Sequence, residues 1–267
     1  MPFRDGYETH VRSWGNRRAK DTFLLLHGLV THSGVFEKLG AEVACRGTHH
    51  AIAFDRRGAG LSTKARGDSP GVDQTVDDLL AIAEKCAADG DRLHVVAWCG
   101  SSSYSTLAIE RAPKLFSTFT VMAPLFFTAT GSTETELSAG ATALFLERAK
   151  NFPADVASPG PDFWPAFVEE KDMAELKADP HILREITPRL VDLFKMSFQR
   201  AMPLMPKMAL PKAAIFGMQD RITHPTQARE IASTFMQPDR LFDLQAPHAI
   251  WYSDPKPVAD ILEKLTA

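Results

Sequence analysis

Short apolar runs alternate with longer helical patterns along most of this chain, and that rhythm is its strongest constraint on fold. Residues 22–26 form a continuous apolar run, as a strand covered on both faces requires. The sequence predicts further strands over 7–14, 50–54, 93–98 and 116–123, and helices over 35–45 and 102–111. Another helix carries Val76, Leu79, Leu80, Ala83 and Ala87 on one face, followed by turn chemistry at Asp89-Gly90-Asp91. From about 125 to 211 no strand is expected. Residues 133–150 and 188–202 read as helical there, and prolines interrupt the region. The alternation then resumes with strand 213–216, helix 226–236, strand 241–244 and helix 257–265. This order predicts an α/β fold, a mainly parallel sheet with helices on both faces. Residues 1–124 and 212–267 would build the core domain, and 125–211 an inserted helical segment.

Composition narrows the function classes. With 267 residues and 45% hydrophobic content the chain encloses a sizeable core. A formal net charge of -3 carries no electrostatic footprint for nucleic acid. No run reaches the roughly 18 apolar residues of a membrane span, and the start, Met-Pro-Phe-Arg-Asp-Gly-Tyr-Glu, has no secretory h-region, so a cytoplasmic protein is expected. Adjacent His49 and His50 would point opposite ways in a strand, and nothing has zinc spacing, so no metal site is expected. The oligomeric state is open. Three cysteines, Cys45, Cys86 and Cys99, do not make a disulfide framework.

Cys99 has special surroundings. A strand ends in Ala97-Trp98-Cys99-Gly100-Ser101 and a helix follows. That is the pattern of a nucleophile on a strained strand-to-helix turn, whose neighbours must be small because other backbone approaches closely. The N–H groups opening the next helix favour thiolate at that position. A competing frame puts Ser101 at the tip between Cys99 and Ser103, and it stays open at this level.

A nucleophile needs a base, and the base an orienting acid. Asp220 follows strand 213–216 in Gly217-Met218-Gln219-Asp220, and His248 follows strand 241–244 in Ala246-Pro247-His248. Open α/β sheets gather their sites at the C-terminal ends of strands. The run Leu24-Leu25-Leu26-His27-Gly28-Leu29 places a turn after a buried strand, which nominates the backbone N–H groups of Leu29 and Gly100 as oxyanion donors. His27 reads as a structural hydrogen bonder.

With those residues in view the chain resembles the α/β-hydrolase superfamily, most of all its monoacylglycerol-lipase-like and esterase branch. His27-Gly28, the loop Asp55-Arg56-Arg57-Gly58-Ala59-Gly60-Leu61-Ser62, the turn at Cys99, the Gly217 to Asp220 turn and His248 carry the resemblance. It implies an eight-stranded sheet, a cap inserted after the sixth strand at 125–211, and a triad of Cys99, His248 and Asp220 working without metal or cofactor. The Asp55 to Ser62 loop is read as shaping the fold. Most members carry serine where this chain has Cys99. Dienelactone hydrolases and polyhydroxyalkanoate synthases share the cysteine, but the former usually lack so large a cap and the latter are usually longer. Eight of the 17 phenylalanines lie between 126 and 205, which suggests an apolar seam under the cap. Trp98, Phe126, Phe127, Phe145 and Trp164 are the expected substrate contacts. The resulting expectation is a hydrolase cleaving an ester, lactone or thioester of an apolar acyl group through an acyl-enzyme. An acyltransferase or cyclase using the same thioester, and a non-catalytic ligand-binding protein on this fold, are the alternatives.

Overall fold

Strands whose two faces are both covered must be apolar throughout, and the longest such runs form the middle of one sheet. The computed structural model describes residues 1–62, 64–87, 92–128, 131–134 and 166–266, with 139, 143 and 147 besides. The first half supplies β1 (Val11–Gly15), β2 (Asp21–Leu26), α1 (Glu37–Arg46), β3 (His50–Phe54), α2 (Val72–Ala87), β4 (Arg92–Trp98), α3 (Ser101–Arg111) and β5 (Thr118–Met122). Helices α4 (Met173–Ala178) and α5 (Pro188–Ala201) follow, then β6 (Lys212–Gly217), α6 (Pro225–Ile231), β7 (Arg240–Leu244) and α7 (Lys256–Thr266).

The sheet order is β1-β3-β2-β4-β5-β6-β7, with β1 antiparallel to β3 and the other pairs parallel. From β2 the chain moves to β3 on one side; from β4 it moves to β5 on the other. The crevice where the order reverses therefore opens between the C-terminal ends of β2 and β4. Leu26 pairs with Ala97, Trp98 with Met122, and Gly217 with Leu244. Leu29, Cys99, Asp220 and His248 thus all leave the same edge of the sheet.

Five local expectations change. Among the described residues the sheet has seven strands, not eight, and the predicted strand 7–14 pairs only from Val11. Upstream, Phe3 N–H donates to Tyr7 O at 2.7 Å across a turn with Gly6 at φ 77°, so those residues form a tight loop. Helix 226–236 ends as α6 at Ile231 and continues as a π turn, Ala232–Met236. In the span 125–211, expected to lack strands, Phe127–Thr128 pairs with Gly131–Ser132. Helix 133–150 does not start at Thr133, which exchanges backbone hydrogen bonds with Phe126 and His224; most of that span, like the 89–91 turn, lies outside the described residues. Helix α5 begins as a capped helix should: Thr187 Oγ1 accepts from Leu190 N–H at 3.2 Å and Pro188 occupies the first turn. Its buried face, with Leu190, Leu193, Phe194 and Phe198, packs on α3.

The loop after β3 ties the crevice together. The Asp55 carboxylate accepts Ser33 N–H at 2.7 Å and Leu61 N–H at 2.8 Å. These bonds hold its pKa below the ordinary range against the opposing effect of burial. Gly60, at φ 56°, lies so close to that carboxylate that a Cβ would collide with it. Removing the acceptor would strand two donors. Asp55→Ala should lower the unfolding free energy by about 2–4 kcal/mol, read from the urea midpoint at neutral pH; an unchanged midpoint would refute this role.

Candidate active site

Cys99 adopts φ 59°, in the left-handed region that residues with a Cβ avoid. Such strain costs of order 1–3 kcal/mol and persists only where neighbours impose it. Here they do. Cys99 N–H donates to Met122 O at 2.9 Å, carrying the β4–β5 ladder into the turn. Gly28 backs onto Cys99, where a Cβ would sit 3.4 Å from the cysteine Cβ. Gly100 lies against Phe194, and any side chain there would collide with that ring. Ser101 has the competing position in sequence but a different posture. It is the first residue of α3, fully buried, and its hydroxyl bonds back to Trp98 O at 2.7 Å and Leu26 O at 3.1 Å. Ser102 and Ser103 likewise donate to Cys99 O and Gly100 O. The serine hydroxyls hold the turn, and Cys99 occupies its tip.

Asp220 and His248 meet beside it. Asp220 Oδ1 accepts the Ile222 and Thr223 N–H groups at 2.7 and 3.0 Å; Oδ2 accepts the Thr223 hydroxyl at 2.6 Å and faces His248 Nδ1 at 2.8 Å. That pairing fixes the ring so that Nδ1 donates. His248 is wholly buried, and its Nε2 has no hydrogen-bond partner among the described residues. Trp98 Nε1 donates to His248 O at 3.0 Å, and the Trp98 and Phe167 rings flank the imidazole, each 5.2 Å away between centroids. Burial alone would drive His248 neutral. The Asp220 carboxylate, then Cys99, outweigh it and hold the pKa up at about 10.

The turn after β2 is built around a neutral histidine. His27 Nδ1 donates to Gly28 O at 2.9 Å, and its Nε2 accepts Arg56 N–H at 3.0 Å. Burial, then the nearby Arg56 charge, push its pKa down to about 3. Among the described residues the N–H groups of Leu29 and Gly100 donate no hydrogen bond, and both residues line one cavity with Cys99. Its other walls are Leu125, Phe127, Phe167, Val191, Phe194 and Ile222, with a single carboxylate, Glu134. The cavity is narrow, about 30 Å³; a larger cleft of about 570 Å³ beside Tyr7, Arg57 and Arg189 shares no residue with it.

Of the expected substrate contacts, Phe127 lines the cavity. Trp98 does not: it packs behind the site on His248 and Trp251. Phe126 is also behind the wall, against Phe198. Phe145 and Trp164 lie outside the described residues. Leu125, Phe167, Val191, Phe194, Ile222 and Glu134 line it as well and were not among the expected contacts. The apolar periodicity of α5 announces a buried face, but only packing on α3 shows that this face reaches Gly100. Among the described residues no cluster of His, Cys, Asp or Glu has the placement of a metal site, and no helix is long and apolar enough to cross a membrane.

The comparisons agree with this architecture. The family model for serine aminopeptidase, S33 (Hydrolase_4) matches residues 17–246. The fold is similar to a monoacylglycerol lipase from Paleococcus ferrophilus, with a TM-score of 0.79 and 19% identity over 97% of this chain and 99% of that one. It is similar to a soluble variant of monoglyceride lipase from Saccharomyces cerevisiae, with a TM-score of 0.79 and 17% identity over 99% and 94%. It is also similar to a thioesterase domain from the curacin biosynthetic pathway, with a TM-score of 0.71 and 14% identity over 99% and 97%. An uncharacterized abhydrolase domain-containing protein of Dictyostelium discoideum is 35% identical over 80 residues, 30% of this chain but 8% of that protein's length. The chain belongs to the Hydrolase_4 (serine aminopeptidase, S33) family and is an α/β-hydrolase.

Proposed function

We propose that the chain hydrolyses an ester or thioester of an apolar acyl group, with Cys99 as nucleophile, His248 as acid and base, and Asp220 as its orienting acid. The observation that carries this reading is the meeting of a buried Asp220–His248 pair with a cysteine at φ 59°. The apolar cavity walls suit the acyl group, and fold neighbours include a monoacylglycerol lipase and a thioesterase domain. Residues 125–211 act in this reading as a cap over a core of 1–124 and 212–267.

The Cys99 thiolate attacks the carbonyl carbon while His248 is imidazolium. The oxygen that gains the charge accepts the Leu29 and Gly100 N–H groups. As the tetrahedral intermediate collapses, His248 Nε2–H protonates the departing alkoxide or thiolate, leaving acyl-Cys99 as a thioester. Acylation also removes the thiolate charge that helped raise the His248 pKa. The imidazole is then a free base: it takes a proton from water, the hydroxide adds to the thioester, and collapse releases the acid and restores the ion pair.

With p-nitrophenyl hexanoate, Cys99→Ala should lose at least about 10³-fold in kcat/KM, while Ser101→Ala stays within about 10-fold of wild type. The reverse pattern would make Ser101 the nucleophile. The ion pair also gives stability a pH dependence. The folded His248 pKa, about 10, lies above the reference 6.5, so its contribution is complete below pH 6.5, shrinks as pH rises, and is gone above about pH 10. The urea-midpoint gap between wild type and His248→Gln should close across that window; a gap that is constant or widens would contradict a charged His248.

A further inference from the structure

Arg56 belongs to the loop that the sequence assigns to scaffolding, yet its side chain is placed unlike the others there. It is 3% exposed. Nη2 donates to Leu29 O at 2.7 Å, while Nε and Nη1 are buried with no hydrogen-bond partner among the described residues. Its neighbour Arg57 is fully engaged with Asp78 and Asp5. Taking a guanidinium out of water without a carboxylate is strongly unfavourable, so fold stability does not account for this charge.

What the guanidinium touches supplies an account. Its backbone N–H holds His27, and His27 holds Gly28 O; its side chain holds Leu29 O. One residue thereby pins the turn carrying one oxyanion donor at two points. The guanidinium carbon also lies 5.3 Å from the centroid of the Phe194 ring, and that ring is the surface against which Gly100, the other donor, is packed. The two donors come from different loops, after β2 and after β4. Arg56 contacts the first directly and reaches the second through one ring.

We propose that Arg56 is the positioning residue of the oxyanion hole: it sets Leu29 N–H against Gly100 N–H and lends a positive charge, which no carboxylate bonds directly, to the carbonyl oxygen as it becomes negative. In a site of low dielectric such a charge acts strongly, and being fixed beforehand it needs no reorganisation during the reaction. Arg56 does not touch substrate and is no catalytic residue. The inference rests on the Cys99 reading above.

Two reactions of one sulfur separate the roles. Acylation by p-nitrophenyl hexanoate passes through an oxyanion; alkylation by iodoacetamide displaces iodide and creates none. Both are followed by the mass of the tryptic peptide holding Cys99, because Cys45 and Cys86 are free thiols too, in wild type, Arg56→Met and Arg56→Lys. Arg56→Met should acylate roughly 10- to 100-fold more slowly, with the loss in the rate and not in half-saturation, and alkylate within about 3-fold of wild type. Arg56→Lys, which keeps the charge, should recover part of the acylation rate, and it also serves if the methionine variant does not fold. Acylation at the wild-type rate in the folded variants would overturn the proposal. So would equal losses in both reactions, which mark a structural strut or an effect on the thiolate alone. Wild-type protein that alkylates at Cys99 but is never acylated there would instead overturn the nucleophile assignment.

Discussion

The left-handed peptide at Cys99 is the constraint on which the rest of the site depends. A strand cannot pass into a helix within two residues unless one residue between them reverses direction, and here that residue carries a side chain. The strain is held from three sides: the ladder bond to Met122 O, the bare backbone of Gly28, and the serine hydroxyls that return to Leu26, Trp98, Cys99 and Gly100. A methyl group at Gly100 would displace Phe194, and with it a wall of the cavity.

Burial and charge oppose each other across the site, and the outcome differs residue by residue. His27 and His248 are both fully enclosed. His27 has a backbone carbonyl, a backbone N–H and a nearby cation, so burial wins and it stays neutral. His248 has a carboxylate on one nitrogen and the cysteine beyond the other, so charge wins. Two identical side chains thereby serve as a hydrogen-bonded strut and, in the proposed mechanism, as a proton carrier.

Much of this was legible in the sequence because the central strands are covered on both faces. A run such as Phe23 to Leu26 admits few other readings, and the residues beyond each strand end inherit their location from the sheet. The order of Cys99, Asp220 and His248 therefore led to one edge of the sheet. What was hidden depends on packing between distant segments. Residues 7–14 read as one strand although the first half turns away, since nothing local shows where sheet pairing begins. Trp98 adjoins Cys99 in sequence, but the chain reverses at Cys99, and the Trp98 indole goes behind the histidine. Arg56 looked like its neighbour Arg57; only the fold separates a guanidinium bonded to two carboxylates from one bonded to none.

The central claim is covalent chemistry at the sulfur. Protein mixed with p-nitrophenyl hexanoate, quenched in acid within the first turnovers and cut with trypsin, yields a peptide running from Leu93 to Arg111 that contains both Cys99 and Ser101. Fragmentation of that peptide distinguishes the two. The account predicts a hexanoyl group on Cys99, removed by neutral hydroxylamine as a thioester is. A hexanoyl group on Ser101 that survives hydroxylamine, or steady turnover with the sulfur unmodified in every quenched sample, would contradict it.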